Sequence, residues 1–229
     1  MVYEPVWISN TDIVFAMIHT HLLSSRVRLS ISRGFTLIEL LAVITIVALI
    51  STIVLANHNL FKGTTILQNL GYDIALSVRQ AQVYGISVVR TSGGKTDVGY
   101  GVHFATAAST QYRLFADSVT RNGTYDTGED VSPSPFNITG GYYISKLCVP
   151  AGASIATCTS VPSVDVFFIR PEPDAYILKN TDSALTFDTT GVVTSASPNA
   201  STRVVVSSAG GQAISVIIDQ NGQISVTRL

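Results

Sequence analysis

The sequence predicts an α+β chain: one long N-terminal hydrophobic helix, packed in its second half against a C-terminal antiparallel β-sheet domain. Two observations carry this. Residues 35–56 form an apolar run broken by a single charge, Glu39. From residue 86 onward, short runs rich in β-branched and aromatic residues alternate with turn residues, the pattern of antiparallel strands.

The apolar run comes first. Phe35 to Ala56 is 22 residues; at 1.5 Å rise per residue a helix of that length is about 33 Å long, enough to cross a hydrocarbon core of roughly 30 Å. A carboxylate in such a span costs about 2.5–3.5 kcal/mol at the helix centre and less near an end, so Glu39 needs a counter-charge. Arg26, Arg28 and Arg33 precede the span with no acidic residue among them. Such a basic flank stays cytoplasmic and places the C-terminal bulk outside. An ordinary secretory signal would be cut after its apolar stretch, behind small residues; Ser51 to Ala56 offers no such site. A plain anchor with an incidental Glu remains the other bland reading. Residues 13–23 are apolar but too short to span.

The helix is expected to outlast the membrane. Leu67, Leu70, Ile74, Val78 and Ala81 recur at spacings of 3, 4, 4 and 3, one face of a helix. Arg79, Gln80 and Gln82 fall off that stripe. Asn57-His58-Asn59 marks the exit into water, Gly63 is a weak point, and Gly85 ends the helix. Strands are expected at 86–90, 99–104, 111–115, 142–147, 164–169, 175–178, 185–187, 203–206, 213–218 and 223–227. Asn221-Gly222 between the last two is a hairpin signal, because both residues tolerate positive φ.

Composition narrows function. Beyond Gly34 the chain holds 11 Lys plus Arg and 13 Asp plus Glu, a net charge of −2. This lacks the basic excess of a nucleic-acid module. The two cysteines, Cys148 and Cys158, lie in the outer part, where oxidation is possible. A bridge would close a loop worth on the order of 2–3 kcal/mol; two free buried thiols are the alternative. His58 and His103 show no metal-ligand spacing with them. Residues 117–130 are acidic and turn-rich, but Thr120 and Ser118 stand where a calcium loop needs carboxylates, and the segment reads as a solvated loop. Three Asn-x-Ser/Thr triplets, at Asn122, Asn137 and Asn199, read as coincidental. No Gly-rich phosphate loop and no Ser/His/Asp set is found, so no enzyme, cofactor or metal site is expected.

Arg33-Gly34-Phe35-Thr36-Leu37-Ile38-Glu39-Leu40 resembles the class III signal of type IV pilins and pseudopilins. The resemblance implies that a prepilin peptidase cuts between Gly34 and Phe35 and methylates the Phe35 amine. It implies that Glu39 pairs with the Phe35 amine of an adjacent subunit during assembly, on an inner-membrane platform and with other pilin or pseudopilin subunits. The domains are then a leader (1–34), the membrane half of the spine helix (35–56), its amphipathic half (57–85) and an extracytoplasmic β-rich domain (86–229). The chain would sit in the cytoplasmic membrane, N-terminus inside, before joining an extracytoplasmic filament. The leader is long for the family, and Met17 is a second candidate start. Relatives often carry a bridge like one between Cys148 and Cys158.

Within the superfamily the chain resembles the H-type minor pseudopilins of type II secretion and the FimT-like minor pilins (GspH/FimT). The matching stretches are Val166-Phe-Phe-Ile-Arg-Pro-Glu-Pro-Asp174, Leu185-Thr-Phe-Asp-Thr-Thr-Gly191 and residues 214–226. The implied role is a structural minor subunit of a type IV pilus or type II pseudopilus. The alternative is a filament-borne adhesin or DNA-uptake receptor. A receptor of that kind would carry a basic C-terminal tail, where this chain has Arg203 and Arg228.

Overall fold

The computed structural model describes residues 34–229, apart from 88, 92 and 196 and the side chains of 56–62. The expected leader, with Arg26, Arg28, Arg33 and the apolar residues 13–23, lies outside the described residues, as do the side chains of Asn57, His58 and Asn59. The chain divides into two units, Met1–Ile53 and Val54–Leu229.

Helix α1 (Leu37–Ile86) is a single helix of 50 residues that continues through Gly63. Its stretch Leu37–Leu55 is long and apolar enough to cross a membrane, and none of it is buried. Thr45 and Thr52 interrupt the aliphatic run without leaving hydroxyls unmet: Thr45 Oγ1 donates to Ala42 O and Thr52 Oγ1 to Ala48 O, each at 2.8 Å.

In the second unit two antiparallel sheets and the C-terminal part of α1 share one core. The first sheet has the order β3-β2-β1-β5-β6, with β1 (Tyr100–Ala105), β2 (Gln111–Ala116), β3 (Phe136–Asn137), β5 (Ser163–Phe168) and β6 (Tyr176–Lys179). The second has the order β4-β7-β8-β9, with β4 (Tyr142–Cys148), β7 (Ser201–Ser208), β8 (Ala213–Asp219) and β9 (Ile224–Arg228). Leu67, Ile74, Val78 and Ala81 of the helix stripe are buried against Val102, Phe104, Leu114 and Val166 of the first sheet and Val204, Val206, Ile214 and Val216 of the second. Close approach is possible because Gly71 has no side chain: a Cβ there would lie 2.9 Å from Ile214 Cδ1 and 3.1 Å from Val226 Cγ1.

Four expectations need correction. Residues 86–90 hold no strand among the described positions, because α1 runs to Ile86 and a turn follows at Ser87. Residues 185–187 contribute only an isolated bridge, Phe187 to Val193; Asp188 Oδ1 gathers the amides of Thr190 and Val192 into a tight turn instead. The β8–β9 hairpin forms at Asn221-Gly222 as expected, but without positive φ at Asn221. Gly222 N donates to Asp219 O at 2.9 Å and Gly222 alone takes φ +78, a turn closed by a left-handed glycine. Gln82, expected on the solvent side, is buried and donates to Pro173 O at 2.7 Å.

The first sheet is covered on both faces. Phe115, Phe167, Ile169, Leu178 and Leu185 form a second core on the side away from α1, with Tyr125, Tyr176, Phe187 and Val193 packed against it. This agrees with the continuous apolar run Val166–Ile169, since a strand buried on both sides loses its alternation.

Candidate functional site

The candidate site is the first turn of α1. Gly34, Phe35 and Thr36 precede the helix, and Phe35 is 80 % exposed. Thr36 starts the helix chemically: its Oγ1 accepts from Glu39 N–H at 3.2 Å, and its carbonyl accepts from Leu40 N–H at 3.1 Å. Thr36-Leu37-Ile38-Glu39 therefore has the spacing of a capping box, in which the hydroxyl satisfies an otherwise orphaned amide. An acidic residue in the first turn also faces the positive end of the helix dipole. The cap's signal in the sequence is the Thr-x-x-Glu spacing of Thr36 and Glu39. Glu39 thus has two separable features: its place in the cap and its charge.

Around this turn the apolar surface is open. Leu37, Ile38, Leu40, Ile44, Val47, Ile50 and Leu55 are all more than half exposed. Among the described residues nothing covers them.

The remaining charged groups of interest lie in the β domain and hold it together. Residues 117–130 are not the solvated loop expected. Asp117 and Glu129 are buried and accept the loop's own amides. Glu129 Oε1 accepts from Ser118 N–H (2.9 Å) and Val119 N–H (2.8 Å), and Oε2 from Asp126 N–H (2.9 Å). Asp117 accepts from Asn122 and Gly123 N–H. Burial pushes the Asp117 carboxyl up to about 7; the Gly123 and Asn122 amides oppose this and the Glu129 carboxylate adds to it.

His103 pairs with Asp165, Nδ1 to Oδ1 at 2.7 Å, on the face covered by this loop. Tyr125 N–H also reaches Asp165 Oδ1, at 3.3 Å. The pair anchors the loop. Arg203 is buried; its guanidinium donates to Ala151 O, Gly152 O and Ser215 Oγ at 2.9–3.0 Å. It clips the loop closed by the Cys148–Cys158 disulfide onto the second sheet, and is withdrawn from any anion in solvent. Neither role was visible in the sequence, because both depend on which loop covers which sheet face.

Residues 29–55 match the prokaryotic N-terminal methylation motif. No curated protein and no solved structure matches the chain. The matched segment ends where the exposed apolar helix does and contains Gly34, Phe35 and Glu39. The chain therefore carries the N-terminal processing signal of type IV prepilin-like proteins on an apolar, membrane-length helix.

Proposed function

We propose that this protein is a structural, non-enzymatic minor pilin or pseudopilin of the GspH/FimT-like kind. It is held in the cytoplasmic membrane by residues 35–56, cut by prepilin peptidase after Gly34, methylated on Phe35 and assembled through its hydrophobic helix. The observation that carries the reading is the methylation motif over an uncovered apolar helix whose one carboxylate stands in the first turn. In the membrane that helix is solvated by lipid; in a filament, neighbouring helices replace the lipid. The free amine created at Phe35 would supply a cation to the Glu39 carboxylate, which meets none among the described residues.

The burial of Arg203 weighs against the DNA-receptor alternative, since phosphate affinity grows with the number of available cations. A gel-shift assay checks this: salt-sensitive DNA retention by the protein would favour the receptor.

N-terminal sequencing of protein from its native membrane tests the proposal. The mature chain should begin at N-methylated Phe35. A chain that keeps its arginine-bearing leader, or one cut beyond Ala56, would overturn it.

A further inference from the structure

Lys179, Asp182 and Asn199 form a set of side chains that the filament role does not use. Lys179 is the last residue of β6, an edge strand of the first sheet. Asn199 lies just before β7 of the second sheet, 20 residues further on. Lys179 Nζ lies 3.2 Å from Asp182 Oδ1 and 3.5 Å from Asn199 Oδ1. Asn199 Nδ2 donates to Asp182 Oδ2 at 2.6 Å and to Ile177 O at 2.9 Å. One carboxylate therefore touches an amine with one oxygen and an amide nitrogen with the other, while the amine stands beside the amide carbonyl.

From this geometry we infer that Lys179 and Asn199 join in an intramolecular isopeptide bond, with Asp182 as the proton carrier. Nζ loses a proton to Asp182 and attacks Asn199 Cγ. The Nζ–Cγ bond forms and the Cγ–Nδ2 bond breaks. In all, two of the three ammonium protons pass by way of the carboxylate to Nδ2, and the nitrogen leaves as ammonium. Charge and atoms balance without any other reactant.

Three features favour reaction over a passive ion pair. The amide is fixed: both of its N–H groups are engaged, and its carbonyl points at the amine. The carboxylate is fixed: Oδ2 also accepts from Lys179 N–H at 3.0 Å, and the Asp182 side chain is only 11 % exposed. The strand is fixed: Ile177 N–H donates to Ser197 Oγ, which in turn donates to Asn199 O. Holding nucleophile and carbonyl near contact distance removes much of the entropic barrier to amide exchange. Asp182 is also in the right state to act as a base. Burial raises its pKa, but the Lys179 amide, the Asn199 amide and the Lys179 charge together hold it below the ordinary carboxylate value. The bond would tie the edge of one sheet to the entry of the other, independently of the Cys148–Cys158 bridge.

Intact-mass and peptide-mapping spectrometry of the full chain, purified in detergent and incubated at neutral pH, tests this. The expected result is a chain lighter by one ammonia that yields a branched peptide joining Lys179 to Asn199. The branched peptide is the deciding signal, because cyclisation at Asn122-Gly123 or Asn221-Gly222 loses the same mass. Lys179→Arg keeps the cation and removes the nucleophile; Asp182→Ala removes the proton carrier. Both should abolish the branched peptide, with Lys179→Arg serving as the reference if Asp182→Ala fails to fold. Recovery of residues 179 and 199 in separate linear peptides from the incubated wild type, or a branched peptide that persists in folded Asp182→Ala, would overturn the inference.

Discussion

Glu39 and Glu129 are both carboxylates, yet among the described residues only the oxygens of Glu129 find hydrogen-bond donors. Glu129 lies in the β domain, and three backbone amides converge on its two oxygens. Glu39 stands in the first turn of an exposed helix, and its carboxylate meets no partner among the described residues. A buried acid satisfied by neighbouring amides stabilises one fold. An acid left open on an apolar surface is a demand made on another molecule. The contrast separates the residues that build this protein from those that connect it.

The largest expected effect tests the first half of that contrast. Glu129→Ala leaves three amide donors without their acceptor. Three groups at about 1–3 kcal/mol each would cost about 3–9 kcal/mol if fully buried; these amides are only partly buried, so the domain should lose about 3–5 kcal/mol. Chemical denaturation followed by tyrosine fluorescence measures it. A loss below about 1 kcal/mol would mean that water replaces the carboxylate.

Next in size is the open acid. Glu39→Ala should leave cleavage after Gly34 intact and reduce filament incorporation by roughly tenfold to a hundredfold, equivalent to about 1.4–2.8 kcal/mol. Glu39→Gln sharpens the result, because Gln also completes a capping box but carries no charge. If incorporation falls with Ala and recovers with Gln, the cap matters and the charge does not. Immunoblotting of sheared filaments and of membranes reports both steps.

Replacing Cys148 and Cys158 together by Ser should cost on the order of 2–3 kcal/mol, read from the same denaturation curves. Arg203 still clips the loop in this variant, so the loss should stay within that range.

The smallest effect, read per pH unit, is a pH slope. Burial raises the Asp117 carboxyl from its ordinary value of 3.8 to about 7 in the folded chain. Between those values the folded state holds a proton that the unfolded state has released. Its contribution to stability is therefore complete below about pH 4 and is lost as pH rises through about 7. The slope from this group is at most about 1.4 kcal/mol per pH unit. Asp117→Asn should flatten the curve.

Where one periodicity ruled, the sequence was readable. The stripe Leu67–Ala81 needs only a helix with one apolar face, and the folded chain buries Leu67, Ile74, Val78 and Ala81. Seven of the expected strands have counterparts with shifted ends: β1, β2, β4, β5, β6, β7 and β8; β9 follows the glycine turn as an eighth. The two-residue β3 is too short to leave a pattern. Gln82 looked solvated because its burial comes from Pro173 and Gly222, residues 91 and more positions away. Arg203 shares a face with Val205, and alternation alone cannot say that the loop at 151–152 covers that face. At the N-terminal site the methylation motif was legible because its spacing is local: Gly34, Phe35 and Glu39 lie within six residues, whereas the Thr36 cap emerges only from the folded helix start. The Lys179–Asp182–Asn199 contact was not legible, since two separate loops had to bring it together.

The hydroxyls of Thr45 and Thr52 turn inward onto the carbonyls one turn below them. The flank they stand on consequently presents nothing that an adjoining molecule must match. On the proposed role, that flank could exchange acyl chains for neighbouring rods without stranding either hydroxyl.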